Sequence, residues 1–276
     1  MFAALSRGWA LTKTSFKVLS LDKEMIVLPL LAGVLMVAAV LGLGFGLALP
    51  AYLLDNSGVG VYAAIFAIYV VVYAISIFFN AAVIEMATIR FNGGDPTLKD
   101  GLRKAWSRIG RILQWAVVAA TVGLIFRALR DRARNNFLAQ ILVNFLEFGW
   151  NVAVYFAVPV LVFQDVGPFA AIKGSMSTVK RTWGEQLTGM ATTGIVFFFL
   201  GLLGILPLLI GLGAMGVSVV VGVMFIAIAV VYWIVLAAVN SAVDGILVAG
   251  LYKYAVEGTL PQVFHDAGVQ PDALAW

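Results

Sequence analysis

Three stretches of this chain carry no charge over lengths that the helices of water-soluble proteins rarely sustain: Met25 to Leu54, Val59 to Ile84 and Leu187 to Val243. Each exceeds the ~20 apolar residues that a helix needs to cross ~30 Å of hydrocarbon, and the last is long enough for two crossings. Inside a bilayer the backbone finds no water to bond, so such runs must satisfy their own N–H and C=O groups as helices. Only 12% of the 276 residues are charged and 62% are hydrophobic, with a mean hydropathy of +1.02. That is more apolar surface than a soluble core of this size can hide. The expected fold class is therefore all-α: a polytopic membrane helix bundle.

Six spans are predicted, at roughly residues 26–54, 60–89, 111–129, 137–163, 187–211 and 217–250. The fifth and sixth are divided at Gly211, Gly213 and Gly216, a glycine-rich break that reads as a tight turn. The third is the weakest, because its uncharged stretch from Ile112 to Phe126 is short; it reads either as re-entrant or as a crossing from which Arg127 snorkels to the far interface. The first apolar stretch is about twice the ~7–15 residues of a signal-peptide core and is expected to stay in the protein. With no cysteine, neither disulfides nor thiolate metal sites are available.

Placing both termini in the cytoplasm puts Arg7, Lys13, Lys17 and Lys23, the six bases from Arg90 to Arg111, then Lys173, Lys180, Arg181 and Lys253 on the inner side. That matches the excess of Lys and Arg in cytoplasmic loops. The other four bases, Arg127, Arg130, Arg132 and Arg134, fall in the connection between the third and fourth spans and are placed outside. A formal charge of +4 then reports orientation, and nucleic acid is not indicated.

The segments before the first, third and fifth spans read as amphipathic interfacial helices. Phe2, Leu5, Trp9, Thr12, Phe16 and Leu19 recur at helical spacing, with Arg7, Lys13 and Lys17 on other faces. Leu98, Leu102, Ala105 and Ile109 repeat the pattern, as do Phe169, Ile172, Met176 and Val179. Each segment has a base two residues before a tryptophan: Arg7 and Trp9, Lys104 and Trp106, Arg181 and Trp183. Such pairs suit the headgroup layer, so the expected partner is a bilayer with anionic headgroups. One interfacial helix and two spans would then form a unit repeated three times, at residues 1–92, 93–164 and 165–258, within one membrane domain and followed by a cytoplasmic tail at 259–276.

Few residues carry chemistry. The single histidine, His265, lies in the tail, so no histidine-based catalytic set or multi-histidine metal site assembles in one chain; no catalytic residue, metal site or cofactor is expected. In the first span Ala38, Gly42 and Gly46 form a small-residue stripe suited to close helix packing. Gln140, Asn144, Glu147 and Asn151 recur at spacings of four, three and four, on one face of the fourth span. That face reads either as the wall of a polar cavity or as a hydrogen-bonded seam between helices. Asn80 with Glu85, and Asn240 with Asp244, stand in two similar stretches, NAAVIE and NSAVDG. Architecture is the favoured reading there: each acid pairs with a base such as Arg103 or Lys180, and each asparagine bonds between helices. The other reading is a polar vestibule.

Arg7-Gly-Trp9, Leu11, Lys13 and Ser15, Asp22-Lys-Glu24 before Leu28-Pro29, Gly94-Asp95-Pro96 with Gly101 and Ala105-Trp106, and Thr182-Trp183-Gly184-Glu185-Gln186 together resemble a family of small bacterial multi-pass membrane proteins known only as a domain of unknown function. The resemblance covers nearly the whole chain and implies a prokaryotic plasma-membrane protein, without bringing an activity, cofactor or site residue. A more distant likeness is to the membrane domains attached to some glycerophosphodiesterases. The expected function is non-enzymatic, a membrane scaffold, assembly or envelope-associated protein that self-associates or binds another membrane protein. The alternative is a small transporter or channel using the buried polar groups.

Overall fold

A computed structural model describes residues 2–54, 58–181, 183–258, 261, 262 and 264, with the side chains of residues 2–7, 181 and 183–189 outside that description. Among the described residues every element is a helix. The order is α1 (Phe2–Leu21), a 3-10 turn at Lys23–Ile26, α2 (Val27–Leu43), a π-helical stretch at Gly44–Ala48, α3 (Leu49–Leu54), α4 (Val59–Phe91), α5 (Leu98–Ser107) and α6 (Ile109–Ala133). There follow α7 (Phe137–Ala153), α8 (Ala157–Gln164), α9 (Pro168–Arg181), α10 (Trp183–Leu203), α11 (Ile205–Ala214) and α12 (Val219–Glu257). Six stretches are long and apolar enough to cross a membrane: Lys23–Leu54, Val59–Phe91, Ile109–Ala133, Phe137–Gln164, Met190–Ala214 and Val219–Glu257. Along the chain a shorter helix, α1, α5 or α9, precedes each successive pair of spans.

The third span differs from its expected boundaries. Its helix continues to Ala133, so Arg127, Arg130 and Arg132 stand on its last turns rather than in a loop. At ~1.5 Å per residue its 25 residues are long enough to span the hydrocarbon. Only residues 134–136 connect it to α7, where Asn136 caps the new helix by accepting from the Ala139 N–H at 3.1 Å.

Three spans are interrupted near a proline, which lacks an N–H and crowds the carbonyl four residues back. In the first, Pro50 cannot bond the Gly46 carbonyl, and the helix widens into the π stretch just before it. In the fourth, Pro159 ends the continuity between α7 and α8 at residues 154–156. In the fifth, Gly204 and Pro207 separate α10 from α11.

The chain divides into two compact units. One comprises Met1–Leu30, Ala87–Asp95 and Thr182–Trp276, the other Leu31–Met86 and Pro96–Arg181. In the first unit α1 packs against α10 and α12. Its contact stripe is offset from the sequence expectation: Leu11, Thr12, Thr14, Ser15, Val18 and Leu19 are buried, whereas Trp9, Lys13 and Lys17 are exposed. The Thr12 and Thr193 hydroxyls meet at 2.9 Å, and Phe16 stacks on Phe197 with centroids 5.6 Å apart. Small hydroxyl residues let helices approach closely while bonding their own or a neighbour's oxygens. The α11–α12 hairpin turns at residues 215–218, close to the predicted glycine break. Close approach explains two of its glycines: a Cβ on Gly211 would lie 2.9 Å from the Gly222 carbonyl oxygen, and one on Gly222 the same distance from that of Gly211.

In the second unit Gly101 brings α5 onto α4, since a Cβ there would lie 2.7 Å from the Ala82 carbonyl oxygen. Trp115 of α6 stacks on Trp150 of α7 at 6.4 Å. The break between α7 and α8 leaves the Phe156 N–H without a helical acceptor, and it donates to Ser175 Oγ of α9 at 3.0 Å. The expected packing stripe of the first span behaves differently: a Cβ added to Gly42 or Gly46 would meet no described neighbouring atom within 4 Å.

Candidate functional site

The polar face of α7 is where a spanning helix departs furthest from apolar composition, and its four residues do not act as one seam. Arg130 on α6 donates to both carboxylate oxygens of Glu147, at 2.7 and 2.6 Å. Glu147 lies ten residues into α7, about 15 Å along its axis, and pairing removes the cost of a lone charge at that depth. Gln140 turns back and donates to the Arg134 carbonyl at 2.7 Å, closing the short connection between α6 and α7. Asn144 and Asn151 are exposed and bond to no described residue. Arg127 donates to the Tyr69 hydroxyl of α4 at 3.3 Å. Three of the four arginines or their backbone in this region are thus tied to other groups by specific bonds.

The two similar stretches differ from expectation. Glu85 and Asp244 are half-buried, and neither forms an ion pair among the described residues of its own unit. The charged neighbours of Glu85 on α5 are Lys104 and Asp100 rather than Arg103, and Lys104 lies instead over the Phe163 ring, 5.3 Å from its centroid. Asp244 sits among buried Ala242, Val243, Gly245 and Ile246, with no base paired to it among the described residues of its unit. Asn80 is half-buried and Asn240 exposed; neither makes the expected interhelical bond among the described residues. Among the described residues of its own unit, then, neither acid forms the ion pair that the architectural reading expected.

Arginine pairs missed in the sequence carry the polar architecture. Arg90 at the end of α4 donates from Nε to Asp22 Oδ2 at 2.6 Å, from Nη2 to Asp22 Oδ1, and also to Asp95. Arg108 and Arg111 both pair with Asp165, at 2.8 and 3.2 Å. Asp22 and Arg90 lie 68 residues apart, and Arg111 and Asp165 54, so spacing within a helix gave no signal for them. On α5, Thr97 and Asp100 form a reciprocal capping box. The Thr97 hydroxyl, and then its N–H, hold the Asp100 carboxyl below the usual carboxylate range.

A family model matches residues 59–261, under the description "family of unknown function". The chain belongs to that family, DUF6159. The match takes in five of the six spans of this DUF6159 chain, together with Glu85, the α7 face, the Asp165 cluster and Asp244. No curated protein matches the chain. Six apolar helices and a family of unknown function make this DUF6159 chain a multi-pass membrane protein of uncharacterised role.

Of the expected interfacial pairs, Trp9 and Trp106 are exposed, at 53% and 68%. Trp106 also meets the Phe78 ring edge-on at 6.3 Å. The side chains of Arg7, Arg181 and Trp183 lie outside the described residues, as does His265. Among the described residues no group of three or more histidines, cysteines or acids is placed to hold a metal ion.

Proposed function

We propose that this protein is a non-enzymatic membrane scaffold or assembly protein of a prokaryotic plasma membrane, with both termini cytoplasmic, acting through self-association or docking of another membrane protein. The observation that carries the reading is the pair of exposed amides on α7, Asn144 and Asn151. An amide without a partner is costly in hydrocarbon, and asparagine both donates and accepts, so one copy can satisfy the other across a symmetric contact. Bonds of this kind between membrane helices contribute about 0.6–2 kcal/mol each. Glu147, between them in sequence, is already neutralised by Arg130 and leaves the face without net charge.

The test is cross-linking in native membranes. Asn144→Cys and Asn151→Cys are expected to join copies through a short thiol cross-linker, whereas Leu142→Cys, exposed but about 160–180° away around the same helix, is not. Monomers at all three positions, together with anion or cation flux in reconstituted vesicles, would replace the scaffold by the transporter. One observation favours that second reading: Asp244 is an acid among buried apolar residues of α12 with no base paired to it among the described residues of its unit. Asp244→Asn is therefore expected to leave any scaffold function intact and to abolish flux if the protein transports.

A further inference from the structure

A recess of about 260 Å³ opens beside the first turn of α6, lined by Ser107, Arg108, Gly110, Arg111, Gln114 and Asp165. Its geometry begins with Asp165, which ends α8 in the left-handed region at φ 53°, ψ 42°. That conformation is unfavourable for most residues and tolerated by Asp and Asn. It sets the carboxylate between two arginines: Arg108 Nη1 lies 2.8 Å from Oδ2, and Arg111 Nε 3.2 Å from Oδ1. Arg108 is held a second time, its Nε donating to the Val162 carbonyl at 3.0 Å.

Arg108 is therefore fixed through two of its nitrogens and Arg111 through one. A guanidinium has five N–H donors, so several on each arginine are left for another acceptor. Their side chains are 25% and 39% exposed. Gln114 adds an exposed amide, and Gly110 contributes no side chain to fill the space. Two guanidiniums and one carboxylate leave the cluster with a net charge of about +1, which a phosphodiester balances. The recess is smaller than a drug-sized pocket. It also stands at the right depth: α5 ends at Ser107, the third span begins at Ile109, and the neighbouring Trp106 is exposed like an interfacial residue.

We propose that this recess binds a phosphate-bearing anion, with Arg108 and Arg111 as its donors and Asp165 as the residue that aims them and tempers their charge. The site does not depend on the scaffold reading. A lipid headgroup and free inorganic phosphate share the chemistry, and the depth of the recess favours the headgroup.

Native mass spectrometry of the full-length protein in detergent tests it, with phosphatidylglycerol, diacylglycerol and inorganic phosphate as probes and melting measured in parallel. Phosphatidylglycerol is expected to be retained and diacylglycerol, which lacks the phosphate, to be lost. Arg111→Gln should weaken retention roughly tenfold, since bonds to charged groups carry that much. Asp165→Asn is the discriminating variant. Asparagine tolerates the left-handed backbone and leaves both arginines unneutralised, so anion binding should tighten several-fold, a gain that unfolding cannot produce. Inorganic phosphate displacing the lipid, or binding alone with the same dependence on Arg111 and Asp165, would support the site and assign it to a soluble anion. Retention of phosphatidylglycerol unchanged in both variants, with phosphate not bound, would overturn the proposal and leave the cluster as a tie between α6 and α8.

Discussion

Gly101 shows how one residue sets a helix contact. With a Cβ position 2.7 Å from the Ala82 carbonyl oxygen and 3.0 Å from Met86 Cγ, Gly101→Ala must push α5 away from α4. Overpacking of this kind costs about 1–3 kcal/mol, to be read as a lower melting temperature in detergent. The Asp22–Arg90 pair makes a second case, because the Asp22 side chain is only 6% exposed. Asp22→Asn leaves the half-buried Arg90 guanidinium with only the exposed Asp95 as counter-charge, and losing a bond between charged groups costs about 1.5–3 kcal/mol. Asp100 gives a pH dependence with a definite sign. Its folded pKa lies below the unfolded value because the carboxylate accepts from Thr97, so its contribution is present above the unfolded pKa and is lost as pH falls through the folded one. Acid melting of the wild type should therefore steepen below the ordinary aspartate range, and Asp100→Asn should remove that component.

At the scale of elements, the interrupted spans are repaired by side chains from neighbouring helices. Near the break between α10 and α11, Gly204 bonds the Gly201 carbonyl rather than that of Leu200. The Leu200 carbonyl instead accepts from Tyr232 at 2.6 Å, and Trp233 Nε1 donates to Gly201 at 3.0 Å. In the second unit Ser175 does the same for the Phe156 N–H. Tyr232→Phe and Ser175→Ala each remove one of these bonds, at about 0.5–1.5 kcal/mol in detergent melting. The spans themselves were legible in the sequence, since a charge-free run of sufficient length admits one structure in lipid. Their interruptions were not read: Pro50 and Pro207 stand inside charge-free runs whose length alone already satisfied the criterion, and Pro159 stands in a span that Glu147 divides. The α1 packing was legible in part. Thr12, Phe16 and Leu19 stood in the expected stripe and do pack, but hydropathy gave no weight to Thr14 and Ser15, whose hydroxyls bond carbonyls of their own helix.

Over the whole molecule, the polar candidates show where sequence reading stops. The α7 periodicity put Glu147 on a polar face, but its partner Arg130 depends on how α6 and α7 turn against each other, and Asp165 meets Arg108 and Arg111 only through the folded chain. The central claim is that six helices each cross the membrane, including the third, whose charged final turns made it doubtful from sequence. Because the chain has no cysteine, single-cysteine labelling reports each connection separately. The decisive set is Lys99→Cys before the third span, Asn135→Cys after it and Val217→Cys between the fifth and sixth, all at exposed positions. Impermeant-reagent labelling of intact cells and of inverted vesicles should place positions 135 and 217 on one face and position 99 on the other; positions 99 and 135 labelled from the same face would contradict the six-span account.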